Sequence, residues 1–286
     1  MRRILVTGAA TWTGGHIIRK LEQEPDTEVL AIDEIPPRVE FESELYEFAL
    51  DRAEFAHFVI DAEPDAVVHM QTVDRSALLG GRRAHDEAVV GAQALFGAIR
   101  RCHSISRVVV KSHVCVYGMG PRNPSVVAEN SPVEGTRGRY ARDLRSLEDY
   151  IEATALQRTD ITFTVLRFAP IFGADVGNPL SRYLRLPVVP TRLGYDPRLQ
   201  LISEHDVVRA IRHSLLHPIG GAFNVAAGGQ HYLSRILRLG HRVSQPLPQR
   251  AYNIAVKGMS RGDLYLPGHV KRLIHHGLIT DTTRMR

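Results

Sequence analysis

The chain has 286 residues, of which 44% are hydrophobic and 23% are charged, as in an ordinary globular protein. Its 36 basic and 31 acidic side chains give a net charge of +5, and the two signs are interleaved without a basic block. The composition excludes a disordered or collagen-like chain, and the scattered charge predicts that nucleic acid is not a partner.

The cysteine and histidine content favours neither a disulfide framework nor a metal centre. Cys102 and Cys115 are the two cysteines, no CxxC spacing occurs, and the 14 histidines are scattered without an HExxH motif. The N-terminus lacks a signal-peptide pattern, and no run of 18 apolar residues occurs. We therefore expect no metal, no membrane attachment and a cytoplasmic location.

Strand-like and helix-like segments alternate over the first part of the chain. Apolar runs typical of buried strands cover residues 4–7, 29–32, 47–50, 66–70, 108–110 and 161–166. Helical patterns cover residues 14–23, 53–62, 86–101 and 140–155. This alternation predicts an α/β fold, namely a Rossmann-like doubly wound parallel sheet with helices on both faces.

After residue 172, prolines interrupt the pattern and the elements become shorter. Residues 203–206 (Ser-Glu-His-Asp) form a capping box that opens an apolar helix, and a short strand follows at residues 223–225. We therefore expect residues 1–172 to form the Rossmann-like domain. Residues 173–286 are expected to form a small C-terminal substrate-binding lobe, part of which can return to the sheet.

The segment between the first strand and the first helix has the pattern of a dinucleotide-binding loop. A GxxGxxG spacing would place glycine at positions 8, 11 and 14, and the chain keeps the outer two but has threonine in the middle. The glycines allow a tight turn, and the helix N-terminus presents N–H groups to a pyrophosphate. The residues expected to contact it are Gly8, Thr11, Trp12, Thr13 and Gly14.

Charged residues after the second strand bear on the choice of dinucleotide. Asp33 closes that strand, where a carboxylate accepts both ribose hydroxyls of an adenosine and favours NAD. Arg38 lies five residues further on and could neutralise a 2′-phosphate, so NADP stays open. Asp51 is a candidate contact for the adenine amino group, or an ordinary surface turn.

From residue 4 to about residue 228 the chain resembles the extended and atypical short-chain dehydrogenase/reductases, in particular the sugar-epimerase branch. The stretches that carry this resemblance are Val6-Thr-Gly8, His69-Met-Gln-Thr72, Val116-Tyr-Gly118, Glu129-Asn-Ser-Pro132, Tyr140 with Glu148, Leu166-Arg-Phe-Ala-Pro-Ile-Phe-Gly173 and Phe223-Asn-Val-Ala226. The resemblance also implies that Met70, Gln71 and Thr72 contact the cofactor diphosphate or ribose, and that Pro170 and Ile171 flank the nicotinamide.

In the family that the chain resembles, a Ser or Thr, a Tyr and a Lys carry the chemistry, supported by an Asn. The Tyr hydroxyl transfers the proton, the Ser orients the substrate oxygen, and the Lys holds the nicotinamide ribose and lowers the pKa of the Tyr. In this chain the Ser position is His113, with Ser112 beside it, and the Tyr position is Tyr140. The Lys position is Leu144 and the Asn position is Ala88.

The lost lysine affects which reaction is expected. An unassisted Tyr has a pKa near 10, so only about one molecule in a thousand is phenolate at pH 7, a deficit of roughly 4 kcal/mol for a base. A reduction needs only a proton or hydrogen-bond donor, which Ser112, His113, Tyr140 or a phenol of the substrate can supply.

The damaged triad therefore favours an NAD(P)H-dependent ketoreductase over an epimerase. The resemblance implies its substrate, an aromatic polyketide ketone beside a phenol, because the chain resembles the ketoreductases of angucyclinone antibiotic biosynthesis. Asn178 and residues 192–200 are candidates for its substrate pocket. The alternatives are a sugar-nucleotide epimerase/dehydratase and a catalytically inactive dinucleotide-binding sensor or scaffold. The resemblance also implies a homodimer through residues 86–101 and 140–155.

Overall fold

The computed structural model describes residues 1–70, 89–131, 138–259 and 264–285. Its strands are β1 (Arg2–Thr7), β2 (Thr27–Asp33), β3 (Leu45–Glu47), β4 (Ala66–His69), β5 (Arg107–His113), β6 (Thr162–Phe168), β7 (Ile171–Phe172), β8 (Val188–Arg192), β9 (Arg198–Leu199), β10 (Ile202–Ser203), β11 (Gly221–Val225), β12 (His231–Tyr232) and β13 (Val243–Leu247). Its α-helices are α1 (Trp12–Leu21), α2 (Ala53–Ala62), α3 (Gly91–Arg101), α4 (Arg139–Gln157), α5 (Pro179–Leu184), α6 (Glu204–Leu216), α7 (Leu233–Leu239), α8 (Gln249–Met259) and α9 (Gly268–His276).

Among the described residues, seven strands form one parallel sheet in the order β11-β6-β5-β4-β1-β2-β3. The chain runs outward from β1 through β2 to β3, and then returns to β4 on the other side of β1. In a doubly wound sheet, ligands bind at the carboxyl ends of the strands where the order reverses. The crevice beside β1 and β4 is therefore the expected place for a site.

Hydrophobic clusters cover both faces of this sheet. On one face, α1 and α6 pack together and bury residues such as Ile17 and Ile211 against Val6 and Val68. On the other face, α2, α3 and α4 bury residues such as Phe96. These layers confirm the predicted α/β doubly wound class. None of the helices in the described ranges combines the length and apolarity needed to cross a bilayer.

The C-terminal part of the chain contributes to both the sheet and a smaller lobe. Strand β11 pairs with β6, and α6 packs on α1, so this part of the chain completes the large sheet. Short strand pairs and α5, α7, α8 and α9 surround a separate cluster that includes Tyr183 and Leu144.

The predicted segments agree well with the structure, with one correction. The helix predicted at 53–62 has the same bounds as α2. The capping box is confirmed as well, because the Ser203 hydroxyl accepts from the Asp206 N–H at 3.1 Å at the start of α6. The strand expected at 47–50 is wrong, because the strand is Leu45–Glu47 and Leu50 lies in a turn. The apolar pattern at Leu50 reflects burial outside the sheet, because its side chain packs against Gly91 at the start of α3.

Candidate cofactor and substrate site

The loop between β1 and α1 is closed by Thr11, which occupies the middle position of the glycine pattern. Its hydroxyl donates to the Gly8 carbonyl oxygen at 2.7 Å and accepts from the Gly14 N–H at 2.9 Å. Gly8 has a φ of 78°, and a Cβ on Gly14 would lie 2.1 Å from the Gly8 carbonyl oxygen. Both outer glycines are therefore required, whereas the middle position tolerates a residue that caps the helix.

Asp33 ties the end of β2 to this loop. One carboxylate oxygen accepts from the Ala10 N–H at 2.9 Å, and the other accepts from the Glu34 N–H at 2.8 Å. The side chain is fully buried, at the end of the strand where the sequence pattern expected it. Its contact with an adenosine ribose stays a prediction.

A cavity of 190 Å³ opens at the carboxyl ends of the strands, between the sheet and the lobe. It brings together residues of the α1 loop, the end of β5, the segment after β6, α5 and α9. Its described lining residues are Ala10, Thr11, Trp12, Thr13, Ile35, Arg38, Lys111, His113, Pro170, Ile171, Val176, Gly177, Asn178, Pro179, Leu180, Arg182, Pro267, His269, Val270 and Leu273. This lining contains Arg38, Lys111 and Arg182 but no carboxylate, so it suits an anionic ligand.

Several of the predicted cofactor residues lie on this cavity: Thr11, Trp12, Thr13, Arg38, Pro170 and Ile171. Asp51 does not line it and is exposed in the turn before α2. The Met70 side chain is packed in the hydrophobic cluster on the α1 face and does not line the cavity, and its contact with the cofactor stays a prediction. Gln71, Thr72 and Ala88 lie outside the described residues.

His113 lines the cavity and contacts Tyr140, which is buried in the lobe cluster and is not among the described lining residues. Their rings are in edge-to-face contact with centroids 5.9 Å apart, and the ring of His269 from α9 stacks on Tyr140 at 3.8 Å. The Nδ1 atom of His113 accepts from the Cys115 N–H at 3.0 Å. In the neutral ring the proton is therefore on Nε2, which makes His113 a hydrogen-bond donor through that atom.

Ser112 lies on the opposite face of the sheet from His113, so its expected role in orienting the substrate oxygen is corrected. Its buried hydroxyl donates to the Glu148 carboxylate of α4 at 2.6 Å. Successive residues of a strand point to opposite faces, and the neighbouring His113 takes the position that faces the cavity.

Glu148 also forms an ion pair with Arg167 of β6, and this pair organises a buried network. The Glu148 and Arg167 side chains are only 3% and 5% exposed, and their closest N–O distance is 2.5 Å. Burial disfavours the charged form of Arg167, but the hydrogen bonds and charge of Glu148 still raise its pKa above the ordinary value. Arg167 donates to the Tyr117 hydroxyl at 2.7 Å, which in turn donates to Asn224 of β11 at 2.8 Å.

This network explains several of the sequence stretches that carried the resemblance. Tyr117, Glu148, Arg167 and Asn224 all belong to it, and Glu129 accepts from the Asn224 N–H at 2.8 Å. These residues therefore join β6, β11, α4, the 3-10 helix Val114–Tyr117 and the turn that contains Glu129. They build the scaffold behind the site, and the chemistry is left to residues on the cavity side.

His69 is a second buried polar group at the carboxyl edge of the sheet. Its Nδ1 lies 2.7 Å from the Thr7 hydroxyl, and its Nε2 has no hydrogen-bond partner among the described residues. Burial lowers the pKa of His69 to about 4, so the ring is neutral in the folded protein.

Sequence reasoning missed Lys111 and His269 and misplaced part of the substrate pocket. Lys111 lies two residues before His113 in β5, and strand alternation could have indicated their shared face. His269 gives no local signal. Most of the 192–200 segment lines a second cavity of 570 Å³, which includes Arg192, Tyr195 and His275.

The fold and the loop define a dinucleotide-binding type of protein, and the comparisons specify the family. The profile of the NAD dependent epimerase/dehydratase family matches residues 4–226, so the chain belongs to this family. An uncharacterised protein of Mycobacterium tuberculosis is 33% identical over 294 residues, covering 99% of this chain and 78% of that protein.

Solved structures share the fold at low sequence identity. UDP-glucose 4-epimerase of Thermotoga maritima, solved with UDP-glucose, has a TM-score of 0.72 at 20% identity, covering 99% of this chain and 90% of the epimerase. The dTDP-glucose 4,6-dehydratase of Bacillus anthracis, solved with NAD, has a TM-score of 0.71 at 14% identity, covering 87% of this chain and 85% of the dehydratase.

Proposed function

We propose that the protein is an NAD-dependent enzyme that acts on a sugar linked to a nucleotide, in the manner of the epimerases and dehydratases. The observation that carries this proposal is the cavity at the carboxyl edge of the sheet, which has three cationic side chains, no described carboxylate and the loop of Gly8 to Gly14 at one end. Both a dinucleotide and a sugar nucleotide carry a diphosphate, which such a cavity attracts. The family and the nucleotide-sugar enzymes that share the fold support this reading over the polyketide ketoreductase expected from the triad.

The described residues fit a dinucleotide. The first turn of α1, with Trp12 and Thr13 on the cavity, would hold the diphosphate through N–H groups and the helix dipole. Asp33 and Arg38 would be at the adenosine end, and Pro170 and Ile171 would flank the nicotinamide. When bound, the nicotinamide ring supplies the hydride acceptor or donor.

His113 and Tyr140 are the proposed proton-handling pair. His113 would hydrogen-bond the substrate oxygen through Nε2–H, because Nδ1 is held by the Cys115 N–H. Tyr140 would move the proton at that oxygen, with its ring held between His113 and His269. Both functions depend on the packing of α4 and α9 at this end of the cavity.

Reduction of a carbonyl, such as an aromatic polyketide ketone whose own phenol donates the proton, is the second candidate. It is favoured by the neutral donor form of His113 and by Leu144 at the lysine position, because a reduction needs a donor and no phenolate. NADPH as well as NADH would then serve as the hydride source, because Arg38 lies on the cavity and can neutralise the 2′-phosphate.

The first experiment is cofactor binding by fluorescence. Trp12 is the only tryptophan and lies on the cavity, so bound NADH or NADPH should quench it by energy transfer. The matched negative control is Gly14→Ala, whose Cβ would lie 2.1 Å from the Gly8 carbonyl oxygen, so this variant should bind neither cofactor. Absence of quenching in the wild-type protein would overturn both enzymatic readings.

The second experiment is turnover. The protein would be incubated with NAD and a panel of UDP- and dTDP-linked sugars, and the products would be separated by chromatography. Epimerised or dehydrated sugar supports the proposal. Oxidation of NADH or NADPH by aromatic ketones, with no reaction of any sugar nucleotide, would replace it with the second candidate. Cofactor binding without turnover in either assay would favour an inactive sensor.

A further inference from the structure

The second cavity, of 570 Å³, is separate from the first cavity at the carboxyl edge of the sheet, and the two have no described lining residue in common. Helix α9 contributes to both. His269, Val270 and Leu273 line the first cavity, whereas His275 and His276 at the end of the helix line the second. The volume of the second cavity is typical of small-molecule sites, which span about 300–1,000 Å³. It therefore has room for a ligand that the proposed function does not use.

Arg192 and Tyr195 lie side by side in the lining of the second cavity. The Arg192 guanidinium lies over the Tyr195 ring, 5.6 Å from its centroid, and donates to Nε2 of His275 at 2.6 Å. The Tyr195 hydroxyl donates to the His276 carbonyl oxygen at 3.3 Å, and 41% of the tyrosine is exposed. This part of the lining therefore presents a guanidinium and an aromatic ring together.

A second arginine and tyrosine come together across a strand pair. Strands β9 and β12 are antiparallel, and their register places Arg198 opposite Tyr232. Directly opposite side chains lie on the same face of a strand pair, and both of these residues line the cavity. Arg198 donates to the Gln230 side-chain oxygen at 3.2 Å, and Tyr232 is 54% exposed. The lining therefore contains two guanidinium groups, each with a tyrosine as its neighbour.

The charge of this lining is positive. Asp196 is the one carboxylate among the described lining residues, and it already accepts from the Ser234 N–H at 3.0 Å and from the Ser234 hydroxyl at 2.6 Å. Arg192 and Arg198 donate instead to neutral acceptors. Burial and then the positive charge of Arg192 lower the pKa of His275, as expected where no nearby carboxylate offsets the arginine. The cavity therefore favours an anionic ligand.

Gly277 holds the end of α9 against β9. Its φ is 70°, and a Cβ on it would lie 2.4 Å from the Arg198 carbonyl oxygen. The next residue, Leu278, donates its N–H to that same oxygen at 3.2 Å. Because a side chain at position 277 would prevent this approach, the backbone keeps the histidines of α9 beside the arginines of β8 and β9 before any ligand binds.

We propose that the second cavity binds an aromatic phosphate ester, such as a nucleoside monophosphate or a phosphorylated phenol. Guanidinium groups bind phosphate through paired N–H donors, and the contacts of Arg192 and Arg198 use only part of their five donors. The exposed rings of Tyr195 and Tyr232 can stack on the ring of such a ligand, whereas an inorganic anion would leave them uncovered. Because the two cavities are separate, this inference does not depend on the proposed function.

The first test measures binding of phenyl phosphate and UMP to the wild-type protein by calorimetry, with phenol and inorganic phosphate as partial ligands. Phenyl phosphate should bind at least tenfold more tightly than either partial ligand, because the ring and the phosphate are both recognised. Tighter binding of UMP than of phenyl phosphate would identify the ester as a nucleotide, and the reverse order would identify it as a phosphorylated phenol.

Variants then locate the ligand. Arg192→Met and Arg198→Met should each weaken binding of phenyl phosphate about tenfold to a hundredfold, because each removes a charged hydrogen bond. Tyr232→Ser should weaken it about fivefold or more through the loss of stacking. Arg238 is exposed on α7, and Arg238→Met should match the wild type. Gly14→Ala, which disturbs the loop of the first cavity, should also leave this binding unchanged.

Three results would overturn the inference. The wild-type protein might bind neither phenyl phosphate nor UMP, or it might bind inorganic phosphate as tightly as the esters, which would leave a site for a simple anion. Loss of binding in Gly14→Ala without loss in Arg192→Met would move the ligand to the first cavity. If Arg192→Met does not fold, Arg198→Met and Tyr232→Ser give the same comparison. Failure to bind NADH would overturn the proposed function and leave this inference in place.

Discussion

Replacement of Arg167 by methionine tests whether the buried network is a structural requirement of the fold. Arg167→Met removes the ion-pair partner of Glu148, which then keeps the Ser112 hydroxyl as its remaining hydrogen bond among those described above. Because both side chains of the pair are at most 5% exposed, the abandoned carboxylate cannot be hydrated easily. Breaking such a pair costs about 3–5 kcal/mol.

This cost translates into a measurable change in melting temperature. At about 2.1 cal/mol/K per residue, the entropy of unfolding is roughly 0.6 kcal/mol/K for a chain of this length, so Tm should fall by about 5–8 °C. The assay is thermal and urea unfolding followed by circular dichroism. The double variant Glu148→Gln/Arg167→Met should lose less than the sum of the single variants, because no charge is left unpaired.

A matched control is an exposed ion pair on α4, the helix that contains Glu148. Arg145 pairs with Asp149 at 2.8 Å, but these side chains are 37% and 54% exposed. Arg145→Met should therefore cost less than about 1 kcal/mol. If Arg167→Met proves no more destabilising than Arg145→Met, the reasoning that this network carries the scaffold is refuted.

Three further predictions concern the site and its surroundings. Tyr140→Phe should lower kcat at least a hundredfold with unchanged cofactor affinity, measured with a reactive sugar nucleotide, whereas a loss below threefold would favour a proton from the substrate. His113→Phe removes the Nε2–H donor and should lower kcat about a hundredfold or more, again at constant NADH affinity, and full activity would exclude that role. Burial lowers the pKa of His69 from 6.5 in the unfolded chain to about 4 in the folded protein. The neutral ring therefore contributes about 3 kcal/mol to the free energy of unfolding above pH 6.5, and this contribution is lost as the pH falls towards 4. In urea unfolding between pH 7 and 4, His69→Gln should lose stability less steeply than the wild type, and parallel curves would contradict this.

The class of fold and the position of the cofactor loop were predictable from local sequence patterns. Apolar runs and helical patterns reflect which face of each segment is buried. These patterns therefore predict most strands, α2 and the capped start of α6 without knowledge of the tertiary structure. The glycines at 8 and 14 are required by local backbone geometry, and for that reason the loop was recognisable even with threonine at position 11.

The identity of the groups around the cavity was decided by the tertiary structure. Strand alternation shows that Ser112 and His113 point to opposite faces, but the packing of α4 decides which face contains Glu148. His269 reaches Tyr140 because α9 folds back over α4, a contact that no local pattern encodes. Lys111 looks like an ordinary charged residue in the sequence, and only the folded sheet places it on the same cavity as Trp12, because that cavity is assembled from segments far apart in the chain.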